Sequence, residues 1–320
     1  MEAAFNVRDT LTNEEIRALT RRSNLAGAWA IASTWLVIGA SLAALAIWPH
    51  PLTFVAAIVV IGGRQLALAI LMHEAAHRTL FVKNFWNDVV ADWLCAKPMG
   101  ADVARYKRHH LVHHAHTGTE LDPDLDLALA EPMTRRSLVR KVARDLLGLT
   151  GLKRVFGQAL IYCGALEYTV GAEAKRIPRN GRRLGDYLRA GARNASGFVV
   201  TNLVLLGVLA AAGELWVYSA WVVAYLTTFS LFLRIRSLAE HACTERSADP
   251  LRNTRTARAG WLARATVAPF RVNYHLEHHL LVAVPYFRLP ALHRLLRERA
   301  LTGVAPSYVD VLRTVSAAAR

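Results

Sequence analysis

Four long apolar stretches, separated by polar and Arg-rich stretches, organise the 320-residue chain. The pattern predicts membrane spans at about 24–48, 52–72, 196–213 and 215–233. At about 1.5 Å per residue, the first stretch reaches roughly 37 Å, which is enough to cross a hydrocarbon core of about 30 Å. Short breaks at Pro49–Pro51 and at Gly213-Glu214 join the stretches in pairs. We therefore expect an all-α membrane protein with four transmembrane helices in two hairpins.

The polar stretches predict helices and loops outside the spans. A short helix is expected to start near Asn13, and the apolar run that follows is too long for a signal peptide. Residues 78–108 mix aromatic with charged side chains, which predicts an amphipathic helix in the membrane interface. Val155–Val170 is short and contains two polar residues, so it is also expected to be interfacial. Residues 172–194 and the chain after the fourth span are expected to be soluble.

One charge interrupts the second span. Arg64 lies within the apolar run 52–72, where a charged side chain is costly and often marks function. At about 100° per residue it lies on the helix face opposite His73. We therefore expect Arg64 to snorkel or to pair within the helix bundle.

The formal charge of +15 accompanies 53% apolar residues and a mean hydropathy of +0.22. Basic residues flank the spans as they do at cytoplasmic ends of membrane proteins, and no nucleic-acid recognition motif accompanies them. The two turns between paired spans contain no Lys or Arg. This asymmetry predicts a protein of the cell (inner) membrane with both termini in the cytoplasm. We expect a single domain over 1–320 and no nucleic-acid partner.

The cysteines Cys95, Cys163 and Cys243 are single and widely spaced. Without a CxxC pair, a disulfide framework and an iron–sulfur or rubredoxin-type site are disfavoured. Nothing in the sequence is typical of a fused electron-transfer domain. An oxidoreductase with this sequence would receive electrons from an external donor.

The candidate chemistry lies in clustered histidines. They are His73 and His77, then His110, His113 and His114, then His241 after the last span, and finally His275, His278 and His279. Within each cluster the spacing is three or four, so the imidazoles share a helix face. Nine ligands are too many for one tetrahedral ion and suit two ions held close together. Imidazole binds zinc, copper, iron and nickel, so spacing does not name the metal.

The boxes HxxxH, HxxHH and HxxHH, in this order and with a long gap before the third, resemble those of the membrane fatty acid desaturase family. The segments His116–Asp124 and Val284–Pro290 are similar to bacterial desaturases and to the related carotenoid ketolases, and the resemblance runs from about Leu66 to Leu296. It implies a non-haem di-iron site in a cytosolic helical cap over the spans, ligated almost entirely by histidine. It also implies that His241 is an additional ligand.

The resemblance implies an O2-dependent oxidoreductase that desaturates the acyl chain of a fatty acid or acyl lipid. Its electrons would come from an external donor such as a ferredoxin, rubredoxin or cytochrome. A hydroxylase or carotenoid ketolase remains the alternative on this fold, since the outcome depends on sub-ångström placement of the substrate. A membrane metal transporter or metal-binding protein is the alternative from another class. Transporters place ligands near the bilayer midplane, whereas these boxes lie at span ends.

Other histidines and carboxylates are expected to have supporting roles. His50 lies on the opposite side of the membrane, and His293 is expected on the exposed face of an amphipathic helix, Pro290–Arg299. His109 and His116 lie outside the HxxHH pattern and are expected to form hydrogen bonds. Carboxylates can accept the outer N–H of a ligating imidazole. The candidates, each with a surface charge or helix cap as the alternative, are Glu74, Asp122, Asp124, Asp126, Glu240 and Glu277.

Overall fold

The computed structural model describes residues 5–125, 132–170 and 174–317. Within these ranges the chain forms helices and turns, with two isolated β-bridges and no strand. The α-helices are α1 Asn13–Leu19, α2 Asn24–Ile47, α3 Pro51–Ala76, α4 Val103–His116, α5 Arg135–Leu146, α6 Leu149–Tyr162, α7 Leu184–Ala211, α8 Tyr218–Leu226, α9 Thr228–His241, α10 Pro250–Asn253, α11 Trp261–Ala265, α12 His275–Leu280, α13 Leu289–Glu298 and α14 Tyr308–Ala317. Asp126 lies outside the described residues.

Four helical stretches are long and apolar enough to cross a membrane. They are Asn13–Ile47, Pro51–Ala76, Leu184–Ala211 and Leu215–His241. Local sequence sets their starts: the Ser23 hydroxyl accepts the N–H of Ala26 at 3.2 Å, and Pro51 opens α3, where its missing N–H costs nothing. The His50 ring accepts the N–H of Leu52 at 3.2 Å, so this histidine is a helix cap.

Several spans extend beyond their predicted ends. α3 continues to Ala76, α7 already begins at Leu184, and the fourth stretch runs to His241. A break at Thr227, with φ −110° and ψ −85°, divides the fourth stretch into α8 and α9. Hydrophobicity marks only the apolar part of a helix, so it missed the polar turns that continue outside that part. Consequently, part of the segment 172–194 is helical.

The helical structure of the two segments expected in the membrane interface differs from the prediction. Instead of one amphipathic helix, residues 78–108 form π-helical turns at Trp86–Val90 and Asp92–Ala96, then a short 3-10 turn. Gly100, at φ 72°, ends this run in the left-handed region, and α4 starts after the N-cap Asp102. The predicted segment Val155–Val170 is helical only to Tyr162. Its helix, α6, starts before the predicted segment, at Leu149.

α3 is the central helix, and its second half is buried on every side. Gly62 and Gly63 allow close contacts: a Cβ at Gly62 would lie 2.1 Å from Thr228 Oγ1, and one at Gly63 would lie 2.5 Å from the Ala265 carbonyl. The buried Gln65 donates to the Trp221 carbonyl at 2.9 Å. Arg64 donates to Ala265 O at 2.8 Å, so it pairs within the protein. These contacts fix the direction of α3 and therefore the position of the histidines at its end.

Candidate metal centre

Four helices bring the histidine clusters together. His73 lies in the last turn of α3, with His77 directly after it, and the second box occupies the last half of α4. His241 is the final residue of α9, whose polar extension beyond the predicted span carries it to the site. The third box forms the short helix α12. All nine histidines predicted from sequence meet in two neighbouring groups.

The first group contains His73, His77, His110, His114 and His278, whose candidate ligand atoms all lie within 4.8 Å of one another. The Nε2 atom of His114 lies 3.0 Å from that of His110 and 3.1 Å from that of His278. Nitrogen atoms this close together point at a shared space. This group combines all three histidine boxes.

The second group contains His113, His241 and His279, again within 4.8 Å of one another. His275 joins them, because its Nε2 atom lies 2.8 Å from that of His241 and 3.1 Å from that of His279. The ring centroids of His114 and His279 are 4.2 Å apart, so the two groups are adjacent. The arrangement can therefore hold two ions side by side.

Two ligand tautomers follow from outer contacts. The Nδ1 atom of His241 lies 3.0 Å from the Asn253 carbonyl, which only accepts hydrogen bonds. Nδ1 therefore carries the proton and, in the neutral ring, leaves a lone pair on Nε2. His113 Nδ1 lies 2.8 Å from an Asp122 carboxylate oxygen and is oriented in the same way. Both rings present a bare nitrogen to the second group.

Burial keeps the imidazoles neutral. It lowers the pKa of His77 to about 3, with Lys107 and His113 lowering it further. It also lowers the pKa values of His110 and His278, to which neighbouring histidines add. Burial alone would raise the pKa of Asp122, but the hydrogen bond from His113 lowers it, which keeps the carboxylate ionised. Neutral imidazole is the form that binds a metal.

The residues fit two metal ions. Both ring nitrogens of His73 and the Nε2 atom of His77 are buried. These three atoms have no hydrogen-bond partner among the described residues. Unpaired buried polar atoms are costly, and a metal ion would satisfy one nitrogen of each ring. Neither group includes a cysteine or carboxylate within the described chain. Imidazole nitrogens alone suit iron, zinc, copper or nickel.

The predicted outer-shell carboxylates differ in their contacts. Asp122 forms a hydrogen bond with His113, a member of the second group. Asp124 instead lies 2.8 Å from His109, which belongs to neither group. His109 thus has the hydrogen-bonding role expected from the sequence. His116 lies at the end of α4, also outside both groups.

Two further carboxylates approach the groups without bonding them. An oxygen of Glu74 lies 3.7 Å from His73 Nδ1, while its partner oxygen accepts from Thr79 and from the backbone of Tyr286. An oxygen of Glu240 lies 3.6 Å from His275 Nδ1 and bonds Arg236 at 2.6 Å. Both are held by other residues at ion-pair distance from a histidine.

His293 is not on an exposed helix face, and this prediction is wrong. α13 matches the predicted amphipathic helix, but its His293 points inward and places Nδ1 2.6 Å from the buried Glu277 carboxylate. Glu277 also accepts a hydrogen bond from Thr256, and it contacts no histidine of either group by a hydrogen bond or ion pair within the described chain. The contact between Glu277 and His293 therefore links α12, which carries the third box, to α13.

Three supporting residues were not predicted from the sequence. Asn253 orients His241 and also donates to the Thr117 carbonyl at 2.9 Å. Thr117 Oγ1 lies 3.4 Å from His279 Nδ1. Tyr106 stacks on His110 with ring centroids 4.8 Å apart. The contacts of Asn253 and Thr117 join segments that are distant in sequence, whereas Tyr106 lies one turn before His110 on α4. None of the three residues belongs to a distinctive sequence pattern.

Comparison with known proteins agrees with this site. A model of the fatty acid desaturase family matches residues 48–309, which include all nine histidines. Dihydrorhizobitoxine desaturase of Bradyrhizobium elkanii is 30% identical over 288 residues, covering 87% of this chain and 76% of that protein. The chain belongs to the fatty acid desaturase family, and it is an oxidoreductase of the desaturase type.

Proposed function

We propose that the protein is an O2-dependent, membrane-bound di-iron oxidoreductase that desaturates the acyl chain of a fatty acid or acyl lipid. The observation that carries the proposal is the convergence of nine histidines into two adjacent groups in a chain of this family. Two irons bound there would activate O2 to remove hydrogen from an unactivated C–H bond, which is chemistry of the metal rather than of the protein. The protein's part is to position ligands and substrate.

The ligand roles divide between the two groups. His73, His77, His110, His114 and His278 would hold one ion, and His113, His241, His275 and His279 would hold the other. Asp122 and Asn253 fix ring orientation in the second group. The buried Tyr106 and the end of α3 exclude water beside the first group. Each of these tasks belongs to residues that the chain itself supplies.

A long apolar substrate suits the setting of the site. Both groups lie at the ends of two candidate membrane-spanning stretches, Pro51–Ala76 and Leu215–His241, so an acyl chain in the bilayer can approach them. The relative from Bradyrhizobium elkanii is named for dihydrorhizobitoxine rather than for a fatty acid. Family membership alone therefore leaves the substrate open, and the apolar surroundings favour a lipid.

We further propose that the metal centre and both termini face the cytoplasm of a cell-membrane protein. The turns at Pro49–Pro51 and Gly213-Glu214 contain no Lys or Arg, whereas the segments on the histidine side are Arg-rich. A reporter fused within the turn at His50 should show the outer side, and reporters at either terminus the cytoplasm. A cytoplasmic report at His50 would contradict this topology.

An external donor would reduce the irons. The net charge of +15 and the Arg-rich histidine side favour a small acidic protein such as a ferredoxin, rubredoxin or cytochrome, steered by complementary charge. Metal transport is disfavoured because the histidines lie at helix ends rather than on broken helices at mid-span.

Lipid analysis of cells tests the reaction directly. Cells expressing the protein should gain double bonds in their acyl lipids, and cells expressing His278→Ala should not. Hydroxyl or keto products in place of double bonds would show a hydroxylase or ketolase on this fold. An iron-loaded protein that changes no lipid under reducing, aerobic conditions would contradict the proposal.

A further inference from the structure

α11 exposes large apolar side chains well after the last candidate span. Trp261 is 81% exposed and Leu262 is 58% exposed, although the sequence around them is Arg-rich and predicts a soluble segment. A tryptophan this exposed is unusual on a surface that faces only water. The position of α11 relative to the spans shows what covers it.

α11 packs against the middle of α3. Arg64 donates from Nη2 to the Ala265 carbonyl at 2.8 Å. Gly63 makes the approach possible, since a Cβ there would lie 2.5 Å from Ala265 O and 3.2 Å from Thr266 Cα. The end of α11 is therefore fixed at the level of Arg64, not at the level of the histidines.

For a membrane span that starts at Pro51, that level falls within the hydrocarbon layer. Arg64 is midway along α3, roughly 20 Å from the Pro51 end at about 1.5 Å per residue, and the hydrocarbon core is about 30 Å thick. The apolar surface of α2 agrees. A Cβ at Gly27 would touch the Leu80 carbonyl, beyond the end of α3, and Trp29 close by is 65% exposed. Lipid-facing surface thus continues past Arg64 toward the metal centre.

Three carbonyl groups of α11 have donors within the protein. Carbonyl groups at a helix end need donors when water is absent. The Leu262 carbonyl accepts from Thr266 through both its N–H and its hydroxyl, at 3.1 Å and 2.7 Å. The Ala263 carbonyl accepts from Ala268 N at 2.6 Å, and the Ala265 carbonyl accepts from Arg64. In this view the half-buried Arg64 serves as a donor to backbone within the bilayer.

The charged side chains nearby turn away from the exposed tip. Arg264 is exposed and donates from Nε to the Ala259 carbonyl at 3.1 Å, so its guanidinium points back along the chain. Arg258 is also exposed on that side. Long basic side chains beside an exposed apolar surface extend to the phosphate groups of a membrane, while the apolar side chains stay among the acyl chains.

We infer that α11 is inserted into the acyl-chain layer of the leaflet on the metal-centre side, where Trp261 and Leu262 contact lipid and Arg264 reaches the headgroups. The occupant of this surface is the bilayer lipid itself, continuous with the lipid around α2 and α3. Residues 266–274 join α11 directly to His275. Lipid contact at α11 thereby anchors the segment that carries the third box.

Quenching by brominated lipid tests the inference on the full-length protein in lipid vesicles. The chain has eight tryptophans, so the signal of Trp261 is the difference between wild type and Trp261→Phe. Trp29→Phe gives the matched difference for a residue on a candidate span. Trp261→Phe/Val304→Trp moves the indole to an exposed loop as the aqueous reference.

The Trp261 difference signal should be quenched by lipids brominated on the acyl chain, as for Trp29, and protected from iodide in water. Val304→Trp should show the opposite behaviour. Quenching of the Trp261 signal by iodide but not by brominated lipid would overturn the inference and place α11 in the aqueous phase. Protection from both quenchers would also overturn it, because a protein surface would then cover Trp261.

Discussion

The two histidine groups use the same side chain but are held in place differently. In the second group, three outer nitrogens have hydrogen-bond partners, at 2.8 Å for His113, 3.0 Å for His241 and 3.4 Å for His279. The fourth, His275, has a buried Nδ1 atom without such a partner among the described residues. In the first group, the Nδ1 atoms of His73, His114 and His278 are buried in the same way. There, the stacked ring of Tyr106 and the buried end of α3 determine where the imidazoles lie.

The orientation of a ligand ring can thus be fixed by a hydrogen bond to its outer nitrogen or by packing against its face. Hydrogen bonds to outer nitrogens set the tautomer and raise the basicity of the ligand. Packing sets position but leaves the electronic character of the ring unchanged. We therefore expect the binding of the two ions to be weakened by different substitutions.

The largest effect is expected from removal of a ligand. His241→Ala should lose the ion of the second group and all product formation, while the protein still inserts in the membrane, because its spans are held by lipid and helix packing. His278→Ala should do the same for the first group. Iron analysis and product analysis of purified protein measure both effects. Full iron and turnover in His241→Ala would show that His241 is only a neighbour.

Next in size is the loss of an outer carboxylate. Asp122→Asn removes the charge beside His113 and should weaken iron binding at the second group by about 10–100-fold, a range typical of such partners. Competition with a chelator measures this loss. Asp124→Asn is the matched control, since Asp124 pairs with His109 outside the groups. Equal losses in both variants would mean that the loop, not the contact with His113, matters.

A smaller effect is expected at the first group. Tyr106→Leu removes the ring stacked on His110 and should weaken the first ion by up to about tenfold, since aromatic contacts contribute about 0.5–1.5 kcal/mol. Tyr106→Phe keeps the ring and should bind iron as the wild type does. If Tyr106→Leu weakened the second ion instead, the division between packed and hydrogen-bonded groups would fail.

The last prediction concerns the contact between α12 and α13, and its effect is on folding rather than on iron binding. His293→Ala leaves the buried Glu277 without one partner and should lower the free energy of unfolding by about 1–3 kcal/mol. Thermal unfolding measures this change, and His293→Gln, which keeps a donor, should restore most of it. His50→Ala removes only a helix cap on the opposite side and should keep full iron. An unchanged melting temperature for His293→Ala would contradict the contact.

The predictions of the four apolar stretches and of the nine clustered histidines rest on patterns within single helices. Spacing of three or four residues identifies a shared face wherever that face lies. It missed the inward orientation of His293, because Glu277 belongs to another helix and periodicity carries no information on such pairs. It likewise missed Asn253, at the end of the short helix α10, and the polar turns that extend α9 to His241. Tertiary contacts, not local pattern, determine these features.

The central claim is that nine imidazoles hold two irons in two adjacent groups. Iron analysis of the purified, iron-loaded protein, combined with X-ray absorption at the iron edge, tests it most directly. We expect two irons per chain, each surrounded mainly by imidazole nitrogen, and one iron per chain after His241→Ala. A wild-type protein that takes up a single iron at saturation, or an iron bound mainly by carboxylate oxygen, would contradict this account.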